Sequence, residues 1–231
     1  MTKHDVTKTN LAVEKLLEVT DNPRHRFLLQ AFHRHRYLEI SGRYEEIFAP
    51  EMMNSNPAYH MHIGETNAAL EGQEQIKSLY RMWAETHQCI FYAEAEEVAV
   101  ADHFIATITS GYQQVSGKSL KEGKVMSLLP HALAGRILKR ALASGDFKAD
   151  DNDMFLYKTS IEMVWPYDDQ GRLIGEDVWE PEPDKGELIK LAPSEVLTTE
   201  EAARLLNPLI KPLPSFDEAV MGKPSVLRKG A

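Results

Sequence analysis

One hairpin constrains this chain more than any other segment. Residues Met154 to Pro181 read as two strands joined by Asp168-Asp169-Gln170-Gly171, where Asp and Gly supply the positive φ that tight hairpins need. The second strand carries adjacent carboxylates, Glu176 and Asp177, between Ile174 and Trp179. Neighbouring strand residues point to opposite faces, so Asp177 shares a side with Leu173 and Trp179. A carboxylate beside a tryptophan on an apolar sheet face is costly to desolvate, and such acids are often kept for proton transfer. The competing reading is a solvated, inert acid at the rim.

The chain's 231 residues suffice for one sizeable core. A net charge of −9 argues against non-specific nucleic-acid binding, which needs basic patches. The single cysteine, Cys89, leaves no intrachain disulfide and fits a reducing compartment. The N-terminus lacks the apolar core of a signal peptide and no apolar run is long enough to span a bilayer, so a cytoplasmic protein without membrane contact is expected.

Asn22-Pro23 marks a helix start, Phe27, Leu28, Ala31, Phe32, His35 and Leu38 recur at helical spacing, and Gly42 stops the run. A short helix uses Tyr44, Ile47 and Phe48. Residues 52–64, with Pro57 inside, read as an edge strand. A patterned helix follows Gly72, burying Ile76, Leu79, Tyr80 and Trp83, and strands are expected at 89–93, 97–101 and 103–115. Residues 116–152 interrupt the series with a helix-like run from Leu128 to Leu142. Such an excursion suits a lid or interface element; its apolar face (Leu129, Leu133, Ile137) needs a surface to cover. Thr198 to Glu201 has the spacing of a capping box, and Pro208, Pro212 and Pro214 predict an extended tail.

The run from His35 to Met52, together with Asn56-Pro57-Ala-Tyr, Leu70-Glu-Gly-Gln-Glu-Gln-Ile and the Asp169-to-Asp177 segment, resembles the SnoaL-like and nuclear-transport-factor-2-like superfamily. The resemblance covers about residues 24–115 and 152–182. It implies an α+β cone, a curved antiparallel sheet wrapped around N-terminal helices, here with a helical insertion and an extended C-terminal arm. Residues 1–21 would form an N-terminal arm, 22–184 the domain with its insertion at 116–152, and 185–231 the C-terminal arm. The superfamily holds ketosteroid isomerases, scytalone dehydratases, limonene-epoxide hydrolases, polyketide cyclases and diarylpropane γ-formaldehyde lyases, as well as binding modules, so the fold leaves function open.

The ketosteroid isomerases place a basic Asp immediately before the proline of the first strand; here that position is Asn56, and an amide cannot take the proton. Residues two apart share a strand face. If Asn56 looks into the cone, His60 and His62 do too, and histidine suits proton transfer near neutrality; the bland reading is a rim histidine bonded to solvent. His35 continues an inward apolar stripe and is either catalytic or a core histidine with a hydrogen-bond partner. The superfamily often places a Tyr or Asp from this helix in its pocket, which points to Tyr37. Tyr59, Trp83, Tyr112, Tyr157 and Trp179 are candidate aromatic walls, though most such residues are core. His60, His62 and Glu65 make a poor zinc set, and no metal is expected.

The expected function is a cofactor-independent lyase, dehydratase or isomerase acting on a bulky hydroxylated aromatic or polycyclic compound. Among the family's reactions the formaldehyde-releasing cleavage of lignin-derived diarylpropanes stands closest. His60 or His62 would be the base, and Asp177 or Glu176 its orienter or the acid. The alternative is a non-catalytic binding or assembly module. The expected partners are a hydrophobic small molecule and a second or third copy of the chain, docked through the sheet's outer face and the C-terminal arm.

Overall fold

The helix begun by Asn22-Pro23 is the spine of the structure, a computed structural model that describes residues 4–63, 66–121 and 150–222. After α1 (Leu11–Val19), the Asn22 side chain accepts hydrogen bonds from the N–H groups of Arg24 and His25 and opens α2 (Pro23–Ile40). Gly42, at φ +70°, ends the run as expected. Residues Tyr44–Phe48 form a 3-10 turn, and α3 (Gln73–Glu85) buries Ile76, Leu79, Tyr80 and Trp83.

These helices pack on one curved sheet of seven strands: β1 (Met53–Ile63), β2 (Thr66–Glu71), β3 (Phe91–Val100), β4 (Phe104–Ser116), β5 (Met154–Pro166), β6 (Leu173–Trp179) and β7 (Glu187–Lys190). Their order is β2-β1-β6-β5-β4-β3, with β7 also paired to β5. The architecture is α+β, as expected, with two departures. The sheet is mixed rather than antiparallel, because β1 runs parallel to β6. And β1 is an interior strand, flanked by β2 and β6, despite Pro57. Proline is tolerated there because the register shifts between Met53 and Ala58. Opposite Ala58 sits Gly175, where an added Cβ would lie 1.8 Å from the Ala58 carbonyl oxygen, so the close strand approach requires glycine.

The hairpin forms where the sequence places it. Gly171 takes φ +69°, and Asp168 accepts hydrogen bonds from the N–H groups of Gln170 and Arg172. The two strands expected at 89–93 and 97–101 are one, β3, with an irregularity between Glu94 and Glu97.

Neither arm is detached. Val6 and Val13 are buried, and α1 leans on α2 and β3. The tail carries the short helix that its capping box predicts, and it packs on the core instead of standing off as an extended arm. Its β7 joins the sheet, and α5 (Thr199–Leu206) is opened by a capping box of Thr198 and Glu201 and buries Ala202 and Leu206 completely. Within α6 (Phe216–Ala219), the Phe216 ring meets Phe27 edge-on at 5.3 Å. Of the 116–152 insertion, α4 (Gly117–Lys121) is described; the expected Leu128–Leu142 helix lies outside the described residues. No helix among the described residues is long and apolar enough to cross a membrane.

Candidate functional site

The parity of β1 decides which side chains face the helices. Pro57, Tyr59, Met61 and Ile63 are buried, whereas Asn56, His60 and His62 are exposed. The expected register is therefore reversed: burying the apolar set turns both histidines and Asn56 to the outer face. On β6, Glu176 and Val178 point inward while Asp177 and Trp179 share the outer side. There Asp177 meets His60 at 2.7 Å as a cross-strand pair. His62 bonds Asn67 at 2.7 Å and stacks on Trp179 with rings 5.6 Å apart.

Behind the inner face lies a cavity of about 80 Å³, walled by Phe32, Tyr59, Met61, Trp83 and Trp165. Helices α2 and α3 and strands β1 and β6 bring the polar groups that meet at its centre. From α2, Phe32, Arg36 and Glu39 line it at the spacing of one helix face, with His35 just behind. α3 contributes Tyr80 and Trp83, β1 contributes Tyr59, and β6 contributes Glu176. The Tyr80 hydroxyl is the hub, 3.0 Å from His35 Nε2, 3.0 Å from the Tyr59 hydroxyl and 3.3 Å from Glu176 Oε1. His35 Nε2 also stands 3.5 Å from Glu176 Oε1 and 4.0 Å from Glu39 Oε2. The indole N–H groups of Trp83 and Trp165 are buried without a hydrogen-bond partner.

Burial sets the protonation of this cluster. Desolvation lifts the Glu176 carboxyl well above the usual range, and the nearby Glu39 charge lifts it further. Desolvation also lifts Glu39 to about 7, against the pull of the Arg36 guanidinium. Glu39 lines the cavity and its side chain is mostly, though not wholly, buried. Desolvation, then Arg36, pushes His35 down to about 3. The 3.5 Å separation of His35 and Glu176 would suit an ion pair, but burial drives both partners to their neutral forms, so the contact is between uncharged groups. Tyr59 and Tyr80 are held protonated by desolvation and by Glu176.

Arg36 is fixed by Glu96, both Oε atoms accepting from Nη1 at 3.0 and 2.9 Å, with both side chains buried. The irregularity in β3 places Ala95 at φ +47°, a conformation costly for a residue with a Cβ, and sets Glu96 against Arg36.

The other sequence candidates scatter. Tyr37 is buried but donates to the Thr7 carbonyl at 2.7 Å, and burial raises its hydroxyl to about 12. Tyr112 donates to Glu94 at 2.8 Å, and Tyr157 donates to Glu180 beside a neighbouring void. Glu39, Arg36 and Glu96 are site residues that the sequence reading left out, and Tyr80 reads from the sequence as a buried aromatic without a role as hub. The signal for the first two was available: extending the Phe32–His35 stripe by one turn reaches both. Cys89 is packed, with its thiol raised to about 12 by burial. Among the described residues no three His, Cys, Asp or Glu side chains are placed to share a metal ion.

No family model matches the chain, and no curated protein matches it. Solved structures similar to it include the following two. An NTF2-like protein from Anabaena variabilis ATCC 29413 is 9% identical, with a TM-score of 0.44 over 70% of this chain and 92% of that one. A protein from Jannaschia sp. CCS1 described as a SnoaL-like polyketide cyclase is 12% identical, with a TM-score of 0.45 over 70% of this chain and 90% of the other.

Proposed function

We propose that this chain is a cofactor-independent enzyme that moves protons on a compact oxygenated molecule, in a dehydration, isomerisation or lyase reaction. The observation that carries this reading is the placing of two carboxyl groups, Glu39 and Glu176, around the Tyr80 hub of one apolar cavity. Glu39, near neutrality, exchanges a proton at ordinary pH, which is what a general base requires. Glu176 stays protonated and, with the tyrosine hydroxyls, donates to an oxygen that gains charge. In an isomerisation Glu39 would take a C–H proton and the electron pair would move to a carbonyl oxygen. In a dehydration the departing hydroxide would leave with a proton from Glu176. The role first expected of His60 or His62 passes to Glu39.

The unpaired indole N–H groups of Trp83 and Trp165 favour an oxygen-bearing substrate, which would relieve their desolvation. The cavity's volume, about 80 Å³, is smaller than the ~150 Å³ that holds a benzene molecule. A bulky polycycle would enter only with movement of the walls, so the occupant is a compact unit or one edge of a larger aromatic.

The test is solvent-deuterium incorporation, followed by NMR, into a panel of small hydroxy-ketones and hydroxylated aromatics. Wild type should exchange or convert at least one compound, and Glu39→Gln should slow it by about 10²-fold or more. Compounds that bind but neither exchange nor convert would mark a binding module instead.

A further inference from the structure

Next to the main cavity lies a smaller void of about 10 Å³, and four residues, Phe91, Gln113, Ile161 and Val178, line both. Gly111 makes their arrangement possible: a Cβ there would lie 2.7 Å from the Phe91 ring. The far wall of the void is Tyr157, Thr159 and Glu180. Glu180 is 6% exposed. Both hydroxyls converge on the same atom of it: Tyr157 donates to Oε1, and Thr159 donates to Oε1 at 2.6 Å. Oε2 is buried and has no hydrogen-bond partner. Its two donors are neutral, and among the described residues no cation bonds it.

A buried carboxyl oxygen without a donor costs on the order of 1–3 kcal/mol, more if charged, so such groups are rare unless something completes them. A volume of about 10 Å³ admits one water-sized group. It is too small for a second ring and is placed beside the cavity that holds the proposed acid and base.

We infer that Glu180 is a substrate-positioning subsite, and that the substrate carries a hydrogen-bond donor, a hydroxyl or a protonated amine, which reaches past Phe91 to Oε2 while its reacting part lies between Glu39 and Glu176. This rests on the reading of the main cavity as a substrate site. It adds a requirement that the acid/base cluster does not impose: the substrate is bifunctional, with a donor at one end and the oxygen-bearing reacting group at the other. Tyr157 and Thr159 fix the carboxyl so that Oε2, not Oε1, is offered.

Three soluble probes of matched, small size separate the possibilities: propan-2-ol, propan-2-amine and acetone. NMR titration should show that wild type binds at least one of the two donor probes about tenfold more tightly than the ketone. A tighter amine identifies an ammonium group as the natural occupant, and a tighter alcohol a hydroxyl. Glu180→Gln, an isosteric change that keeps a side chain for Tyr157 and Thr159, should abolish the preference. Thr159→Val, which leaves the carboxyl but loosens it, should weaken it in part. The idea is overturned if wild type shows no preference or binds no probe at millimolar concentration, or if Glu180→Gln keeps the same preference, since the void would then hold only water. Glu39→Gln and Glu176→Gln should keep the donor preference while losing proton exchange, so failure of the catalytic reading and failure of this one give different patterns.

Discussion

His35 and Glu176 come within 3.5 Å of each other, each in its uncharged form. The Tyr80 hydroxyl touches both, so a histidine and a carboxylic acid that would pair as ions at the surface are here joined as neutral hydrogen-bonding groups. Keeping the pair neutral avoids the desolvation cost of two buried charges. It leaves Glu39, whose pKa lies near 7, as the member of the cluster that changes charge at ordinary pH.

Glu39 therefore links stability to pH. Its folded pKa, about 7, stands above the usual 4.5, so the folded state holds the proton more tightly and stability falls as pH rises between these values. The loss is complete above about 7, on the order of 1 kcal/mol for each pK unit. Chemical denaturation of wild type between pH 5 and 8 should include this slope beside two others. That of Glu176 has the same sign, and that of His35 opposes it below about 6.5. Glu39→Gln should remove about one proton's share of the summed slope. Activity should run the other way, with kcat/KM rising through about pH 7 as the base ionises.

Removing the hub hydroxyl by Tyr80→Phe leaves Glu176, Tyr59 and His35 short of a partner in a buried site. A stability loss of about 1–3 kcal/mol is expected, or a fall in Tm of roughly 2–4 °C per kcal/mol. Proton exchange into the substrate should drop with it. An unchanged Tm and rate would place the hub elsewhere.

Breaking the Arg36–Glu96 pair should cost more than either residue's packing. Glu96→Ala strands a buried guanidinium, at about 3–5 kcal/mol. Ala95→Gly, relieving the positive φ beside it, should be neutral or slightly stabilising. Urea midpoints for both variants check the pair of signs.

On the outer face, Ile108, Glu162, Trp179 and His62 form one cross-strand row, and Val164, Asp177 and His60 the next. Ile108 is 53% exposed and Trp179 36%. We expect this surface to be covered by a second copy of the chain. Light scattering should return at least twice the 26.2 kDa chain mass, and Ile108→Lys should lower it. His60→Ala and Asp177→Asn, altering a half-exposed pair worth about 1 kcal/mol or less, should leave proton exchange intact.

Much of this architecture was legible because local chemistry dictates it. Asn22-Pro23, Gly42 and the Asp168–Gly171 turn each admit few backbone conformations, and the Ile76–Trp83 stripe has one helical period. The facing of β1 was not legible. Its odd and even positions both carry large residues, so although Asn56, His60 and His62 do share one face, the sequence does not say that this face is the outer one. The fate of the tail was hidden for a related reason: prolines announce extended backbone, but not that Ala202 and Leu206 dock into the core. Glu39 continues the stripe of His35 by one turn, but a Glu near a helix end ordinarily faces solvent, so that spacing does not by itself announce a site.

The parallel pairing of β1 with β6 also governs the order in which the site comes into being. His60 and Asp177, partners across that seam, are 117 positions apart in the chain. Contacts this distant in sequence form slowly, because the loop between them must close before they stabilise anything. During synthesis β1 leaves the ribosome long before β6 exists, and its neighbour until then is β2 alone. Tyr59 and Tyr80 wait without Glu176, which reaches them only when the hairpin is complete. The cluster is thus assembled by the same late event that closes the sheet, and a chain stopped before Leu173 would carry neither.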